Sequence, residues 1–251
     1  MAGGTGSWSG LAIRRAMRWS ERVCIWGVGV VFEIPERFNK NSLEVRKLGT
    51  QAETGAWLID YICKRINITD LSRIELLDFG CGCRFTDAIL NHNLPIGSYT
   101  GIDLDQDLIN YFDKYLDDPR FSFSHWDVAN PNYNPDGAPL TATLQLPIDD
   151  KQFDLICMWS VMTHQLPAHA EAIFTILRRY IKPNGFMFFS AKIIEGEDYA
   201  ELRPFIGGLS AYSMDAMARM LCASGWRINS FELSAESGLP NQDSFVCTPI
   251  S

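Results

Sequence analysis

The sequence is short of the features that mark several large classes of protein. Long hydrophobic runs are missing: the apolar stretch VCIWGVGVVF at 23–32 is ten residues, whereas a membrane-spanning helix needs roughly 20. Paired cysteines are missing too. The seven cysteines, at 24, 63, 81, 83, 157, 222 and 247, are odd in number and lack pair-and-pair spacing, which argues against a disulfide framework and against a structural zinc site. A reducing cytoplasm is the simplest expectation. Cationic charge is scarce as well, with 22 Lys and Arg against 30 Asp and Glu and a net charge of -8. Such a chain is poorly suited to gripping a polyanionic backbone, so a nucleic-acid partner is disfavoured. There is no internal repeat. What remains, 47% hydrophobic and 21% charged over 251 residues, is the composition of a globular enzyme and excludes disorder and fibrous repeats.

The acidity is uneven. Residues 1–40 carry six Lys and Arg against three Asp and Glu, leaving 16 against 27 for the remainder. This amino-terminal arm has a Gly/Ser-rich start, the basic run Arg14, Arg15, Arg18 and Arg22, and then the apolar stretch. A basic region before an apolar run resembles a signal peptide, but the leader is long and no small-residue cleavage site follows. The arm is expected to fold over the main domain, with Trp8, Trp19 and Trp26 as packing residues; contact with a membrane surface is the alternative.

From about residue 41 the apolar pattern alternates between helical periods and short β-rich runs, which predicts a layered α/β domain over 41–251. Strands are expected at 75–79, 99–103, 121–126, 153–160 and 185–191, each of the five returning through a helix. Helices are expected at 50–66, from 85, at 106–116, at 168–181 where the turn KPNG follows, and at 213–223. The segments 226–233 and 243–250 are close enough for an antiparallel pair. Right-handed crossovers then give a Rossmann-like, seven-stranded, mostly parallel sheet with an antiparallel final strand and helices on both faces, whose ligand crevice lies at the carboxyl ends of the central strands.

Acidic and glycine residues fall at those ends. LLDFGCGCRF at 76–85 places Asp78, Gly80 and Gly82 before a helix, where glycines let a ligand approach backbone amides. Asp103 ends the second strand, 21 residues after Gly82, where a carboxylate can accept hydrogen bonds from both hydroxyls of a ribose. His125-Trp126-Asp127 ends the third, where an acid can accept from the exocyclic amine of adenine. Together these describe an adenosine site.

On Asp78-Phe79-Gly80-Cys81-Gly82, Asp103 in GIDLD, Asp127 in HWDV and the stretch LPIDDKQFDLICMWSVMTHQLPAHAEAIFTILRRYIKPNGFMFFS, the chain resembles the class I methyltransferases that use S-adenosylmethionine. The likeness runs from about residue 50 to 250. It implies a methyl transfer from S-adenosylmethionine by in-line displacement. Gly80, Cys81 and Gly82 would line the methionine and ribose, and Asp78 would hold the glycine loop or approach the amino group. Asp103 would take the ribose hydroxyls and Leu104 would pack on the adenine. Asp127 would read the adenine amine beside Trp126 and Val128, and Trp159 and Ser160 would border the sulfonium. Many members have a third glycine two residues after Gly82, where this chain has Arg84. That side chain would either crowd the cofactor or reach toward the methionine carboxylate.

Other readings stay open. A scaffold that binds cofactor or nothing is one, and Arg84 is its best support. A nicotinamide-dependent dehydrogenase is another, although GCGCRF lacks the last glycine of that fingerprint. His164 lies just past the fourth strand, where a general base can reach a substrate proton or merely cap the next helix; His125 and Tyr199 are weaker candidates. Asn130-Pro131-Asn132-Tyr133 follows the third strand and reads as a turn. The Pro/Gly/Asn-rich segment 130–145 is a candidate substrate lid or else a surface insertion. With the 193–207 region, including Tyr199 and Arg203, and the arm, it is expected to line the acceptor side. Cys81 and Cys83 make only half a metal site, so no metal is expected. The acceptor expected is a small molecule or glycan.

Overall fold

Along each central strand neighbouring side chains point to opposite faces, and both faces of this sheet are covered, so the strands read as nearly continuous apolar runs. The computed structural model describes residues 32–202, 208–237 and 242–250. Its elements, after a 3-10 turn at Glu36–Phe38, are α1 (Leu43–Arg46), α2 (Gln51–Arg65), β1 (Glu75–Phe79), α3 (Arg84–Asn91), β2 (Ser98–Asp103), α4 (Gln106–Tyr115), β3 (Phe121–His125) and β4 (Phe153–Met158). There follow α5 (Pro167–Leu177), β5 (Ile181–Ala191), β6 (Ile193–Ile194), β7 (Tyr199–Glu201), β8 (Ser210–Ser213), α6 (Met214–Ala223), β9 (Trp226–Glu232), α7 (Ser234–Ser237) and β10 (Asp243–Pro249).

The main sheet has seven strands in the order β3-β2-β1-β4-β5-β10-β9. Pairing is parallel from β3 to β5, and β10 runs antiparallel to both of its neighbours. This is the Rossmann-like architecture read from the sequence. The chain winds outward from β1 in one direction and from β4 in the other, so a crevice opens between the carboxyl ends of β1 and β4. Leu77, Phe79, Met158, Phe189 and Phe245 pack on one face with α5 and α6. Leu76, Leu155, Cys157, Phe188 and Val246 pack on the other with Leu58, Ile62, Phe85 and Ile89 of α2 and α3.

Local signals account for the helix ends. Thr50 and Glu53 form a reciprocal capping box at the start of α2, satisfying two amides that the helix cannot. Past its end Asn67 takes φ 55°, a conformation Asn tolerates better than most residues. Two features differ from expectation. The helix α5 stops at Leu177, and KPNG is not a turn before β5 but an excursion within it. Phe153 pairs with Ile181 and Leu155 with Phe186, so residues 182–185 loop out opposite the single residue Asp154, which Lys182 bonds at 2.9 Å. A second, three-stranded sheet, β6-β8-β7, was not legible in the sequence.

The segment before α1 lies over the α3/α4 side, as a cap would. Phe38 is buried against Cys83, Leu108 and Phe112, its carbonyl accepts from the Cys83 thiol at 3.1 Å, and Phe32 exchanges backbone bonds with the Asn91 side chain. The basic run and Trp8, Trp19 and Trp26 lie outside the described residues, as does Cys24. Among the described residues no helix is long and apolar enough to cross a membrane, and the six described cysteines are free.

Phe245 is fully buried in β10, its ring 4.7 Å from and parallel to that of Phe189. Phe245→Ala is expected to cost about 3–5 kcal/mol, read from urea unfolding, whereas Asn67→Gly is expected to cost almost nothing because its φ suits glycine. A Phe245→Ala loss below 1 kcal/mol would show that the antiparallel strand is not part of the cooperative core.

Candidate functional site

The turn after β1 is suspended from the end of β2. The amides of Gly80 and Cys81 both donate to the Ile102 carbonyl, at 2.8 and 3.0 Å, and Gly82 donates to Oδ2 of Asp103 at 2.8 Å. The other carboxylate oxygen of Asp103 accepts from the Asp105 amide at 3.0 Å. Glycine is required twice here. Gly80 has φ +70°, and a Cβ there would lie 2.5 Å from Val161; Gly82 has φ +49° but nothing within 4 Å of where its Cβ would be. The space beside Gly82 is therefore open, part of a cleft of about 950 Å³.

At the loop-to-helix junction Arg84 turns across this cleft. Its guanidinium donates to Oδ1 of Asn41 and lies 5.6 Å from the Trp159 ring centre. It has no ion pair within 4 Å among the described residues. Burial holds its pKa down at about 10, still fully charged at neutral pH. Asn41 and Lys40 arrive on the segment that caps α3 and α4. Lys40 bonds Asp105 at 2.8 Å and stands over the Tyr133 ring, 5.6 Å from its centre.

The end of β4 is built differently. Ser160 adopts φ 62°, a strained conformation for a residue with a side chain. A closed ring of hydrogen bonds holds it: the Ser160 amide donates to Ser190 Oγ at 2.8 Å, the Ser190 hydroxyl donates to Gln242 Oε1, and Gln242 Nε2 donates back to Ser160 Oγ at 2.9 Å. Beyond it His164 stands half-buried, Nδ1 at 3.3 Å from the Gly208 carbonyl. A carbonyl only accepts, so Nδ1 carries the proton and Nε2 is left as the bare nitrogen. Burial lowers the His164 pKa below its ordinary value. The Tyr133 ring meets the imidazole edge-on at 5.3 Å.

Of the residues anticipated from sequence, Asp78, Gly80, Cys81, Gly82, Asp103, Leu104, Trp126, Val128, Trp159, Ser160 and His164 all line this one cleft. Asp127 does not. Its side chain is exposed and accepts from Asn134 Nδ2 at 2.8 Å, because the chain doubles back through mutual backbone bonds between Asn130 and Asn134. The segment at 130–133 is a turn, as its sequence suggests: buried Asn130 accepts from the amides of Asn132 and Tyr133 and donates to the His164 carbonyl. Asn130, Tyr133 and Leu140 place the 130–145 segment in the cleft wall. His125 instead contacts the Leu104 carbonyl, and Tyr199 packs on Tyr212; neither lines the cleft. Arg203 lies outside the described residues. Sequence reasoning missed Lys40, Asn41, Lys192 and Gln242, which reach the cleft through long-range packing with no local motif. Among the described residues no cluster of His, Cys, Asp and Glu could hold a metal.

Known proteins share this fold. A model of the methyltransferase domain family matches residues 77–187, which spans β1 through most of β5. Among solved structures, the chain is similar to the glycopeptide N-methyltransferase MtfA complexed with sinefungin, at 14% identity over 78% of this chain and 94% of that one, with a TM-score of 0.55. It is also similar to S-adenosylmethionine-dependent methyltransferases from Clostridium acetobutylicum (12% identity, 83% and 95% covered, TM-score 0.52) and Mesorhizobium loti (14%, 77% and 97%, 0.52). At these identities the likeness to solved structures is one of fold.

One carboxylate in the cleft has an unusual environment. Asp78 is 2% exposed; burial pushes its pKa up to about 8, helped by the negative field of Asp103 and opposed by the hydrogen bond from the Tyr99 hydroxyl. In the unfolded chain the same group titrates near ~3.9. Between these values the folded protein holds more protons than the unfolded one, so this group makes stability fall as pH rises from about 4 to about 8. Asp78→Asn, which still accepts from Tyr99, is expected to remove that slope. Urea midpoints at pH 5 and pH 8 should show the variant gaining on the parent at the higher pH; an equal difference at both would place the Asp78 proton elsewhere.

Proposed function

We propose that the chain is a class I S-adenosylmethionine-dependent methyltransferase that transfers a methyl group to a small-molecule acceptor seated in the cleft, a reading supported by the methyltransferase-domain match over 77–187 and by the shared fold. The observation that carries the reading is Asp103, a carboxylate at the end of β2 that already holds the glycine turn at 2.8 Å and borders the open space beside Gly82. A carboxylate offers about four lone-pair directions, so two remain for the hydroxyls of a ribose. Solved structures of similar fold contain S-adenosylhomocysteine and S-adenosylmethionine, which supports the same cofactor here.

The residues present fit that cofactor. Leu104, Trp126 and Val128 supply an apolar slot beside Asp103 for a purine. Asp127 is not positioned for the amine of that ring while Asn134 holds it. Arg84 does not fill the space beside Gly82; bonded to Asn41 and unpaired by any carboxylate among the described residues, it suits the methionine carboxylate, and Asp78, once it gives up its proton, suits the amino group. When bound, S-adenosylmethionine supplies an electrophilic methyl on a sulfonium. The protein's task is then to hold the nucleophile in line, and orientation of this kind can contribute roughly 7–11 kcal/mol. Trp159 and Ser160 form the wall where the acceptor would meet the methyl group. His164, neutral with Nε2 bare, suits removal of a proton from a hydroxyl acceptor. A glycan-type acceptor is consistent with the fold shared with a glycopeptide N-methyltransferase.

Asp103→Ala is expected to weaken S-adenosylhomocysteine binding at least tenfold by calorimetry, since hydrogen bonds to a charged group are worth about 1.5–3 kcal/mol each; unchanged affinity would sink the ribose assignment. A second measurement separates the two ends of the cofactor. Arg84→Ala should lose affinity for S-adenosylhomocysteine yet keep it for 5'-methylthioadenosine, which has no carboxylate. In the parent protein S-adenosylhomocysteine at 100 times its Kd should add about 2.7 kcal/mol of stability, and no thermal shift would favour a non-catalytic scaffold.

A further inference from the structure

On the β5 side the cleft is lined by a single lysine among the described residues. Lys192, half-buried, follows directly on β5 and lines the cleft. Its own backbone is fixed: its carbonyl accepts from the Tyr212 amide of β8 at 2.9 Å, and the next amide, Ile193, donates to Asp243 Oδ2 at 2.9 Å. Lys192 makes no ion pair among the described residues. Asp243, the carboxylate nearest in the chain, accepts the Ile193 and Ser234 amides, one on each oxygen, and forms no ion pair with Lys192 within 4 Å. Among the described residues four other lysines are ion-paired, Lys40 on Asp105, Lys64 on Asp60, Lys151 on Glu75, and Lys182 on Glu75 and Asp154; Lys47 and Lys114 are not, but neither lines the cleft.

The neighbours of Lys192 are donors as well. The antiparallel register pairs Ala191 with Asp243, so Lys192 and Gln242 occupy the next facing positions of β5 and β10, where side chains share one face. Gln242 uses one amide hydrogen on Ser160 and its carbonyl on Ser190, leaving the second hydrogen for the cleft. The Ser160 hydroxyl accepts from Gln242, and its own proton has only Thr163 Oγ1, at a long 3.4 Å. Three donors and no free acceptor thus meet at adjacent strand ends, on the opposite side of the cleft from Asp103. Arg84 is assigned above to the cofactor's carboxylate, so Lys192 requires an anion of other origin.

We propose that the methyl acceptor is an anion, carrying a carboxylate or phosphate group that seats on Lys192 with Gln242 and Ser160 as hydrogen-bond donors. The assignment rests on the cofactor reading above, which leaves this part of the cleft to the acceptor. An anionic group here is charge-paired and hydrogen-bonded together, the condition for holding an ion in a half-buried site. A cationic acceptor is excluded from it by like charge.

The test uses the full chain saturated with S-adenosylhomocysteine and titrated by calorimetry with benzoate, phenyl phosphate and, as the neutral control, benzamide. Binding of benzoate or of phenyl phosphate, weakened at least tenfold in Lys192→Gln and restored in Lys192→Arg, is the expected result, and which anion binds distinguishes a carboxylate from a phosphate acceptor. The proposal is overturned if neither anion binds the loaded protein, if Lys192→Gln binds them as well as the parent does, or if benzamide binds equally. Circular dichroism and the S-adenosylhomocysteine titration of the same variant guard against misfolding. If S-adenosylhomocysteine fails to bind the parent chain, the cofactor reading itself falls; if it binds and the anions do not, only the acceptor assignment falls.

Discussion

The hydrogen bond from the Gly82 amide to Asp103 is the constraint on which the cleft depends. The turn after β1 must climb away from the sheet with two residues at positive φ, Gly80 and Gly82, and nothing within the turn itself holds that shape. Three amides in a row solve the problem by bonding to the end of β2, two on the Ile102 carbonyl and one on the Asp103 side chain. A carboxylate is therefore fixed in place before any ligand arrives, and the ordering cost it would otherwise incur on binding is met in the fold. The same carboxylate affects its neighbour. Burial is the main reason that Asp78 keeps its proton, and the negative field of Asp103 adds to it.

Charge in the cleft is divided by element. The ends of β1 and β2 contribute Asp78, Asp103 and Asp105, whereas the start of α3 and the end of β5 contribute Arg84 and Lys192. The net charge of -8 conceals this division. An acidic side that suits ribose hydroxyls and an ammonium faces a basic side that suits carboxylates, and Trp159 lies between them beneath Arg84. In the proposed reading the cofactor uses both sides and the acceptor only the second. Lys40 belongs to neither: paired with Asp105 and poised over Tyr133, it ties the capping segment to the 130–145 wall across the acidic side.

The parts of this arrangement legible in the sequence were those encoded locally. Strand and helix periods gave the seven-stranded sheet, and Asp78, the glycines and Asp103 fall at or just past the ends of β1 and β2, which face the crevice. Asp127 shows the limit of that logic. It has the right position after β3, but the turn from Asn130 to Asn134 returns a side-chain amide to it, a closure set by seven residues of loop chemistry and not by strand period. Ser190, Lys192 and Gln242 carried no signal at all. They converge only because β10 inserts antiparallel beside β5, in a register that a sequence fixes through the burial of Phe245 and Cys247 on one face and Val246 on the other. The KPNG excursion within β5 was hidden for the opposite reason: its local chemistry is that of a turn, and only pairing on both sides of it places it inside a strand.

The strained Ser160 links that register to the chemistry. A left-handed conformation costs a residue with a side chain about 1–2 kcal/mol, and glycine would avoid the cost. Glycine would also remove the oxygen that accepts from Gln242 and so break the ring joining β4, β5 and β10. The ring has a direction: each member's donor is spoken for except one hydrogen of Gln242 and the Ser160 hydroxyl proton, which has only the long 3.4 Å contact to Thr163 Oγ1. Strain at this position is thus tied to the aiming of two donors into the cleft. The same local geometry turns the chain into the 3-10 turn Met162–His164, whose last residue presents an imidazole with its protonated nitrogen on the Gly208 carbonyl and its bare nitrogen free. Burial lowers the pKa of that imidazole, and this proton acceptor stands on the same short stretch of backbone as the Ser160 hydroxyl. Their separation is fixed by the sheet and not by a mobile loop, which is the condition for holding a nucleophile in line.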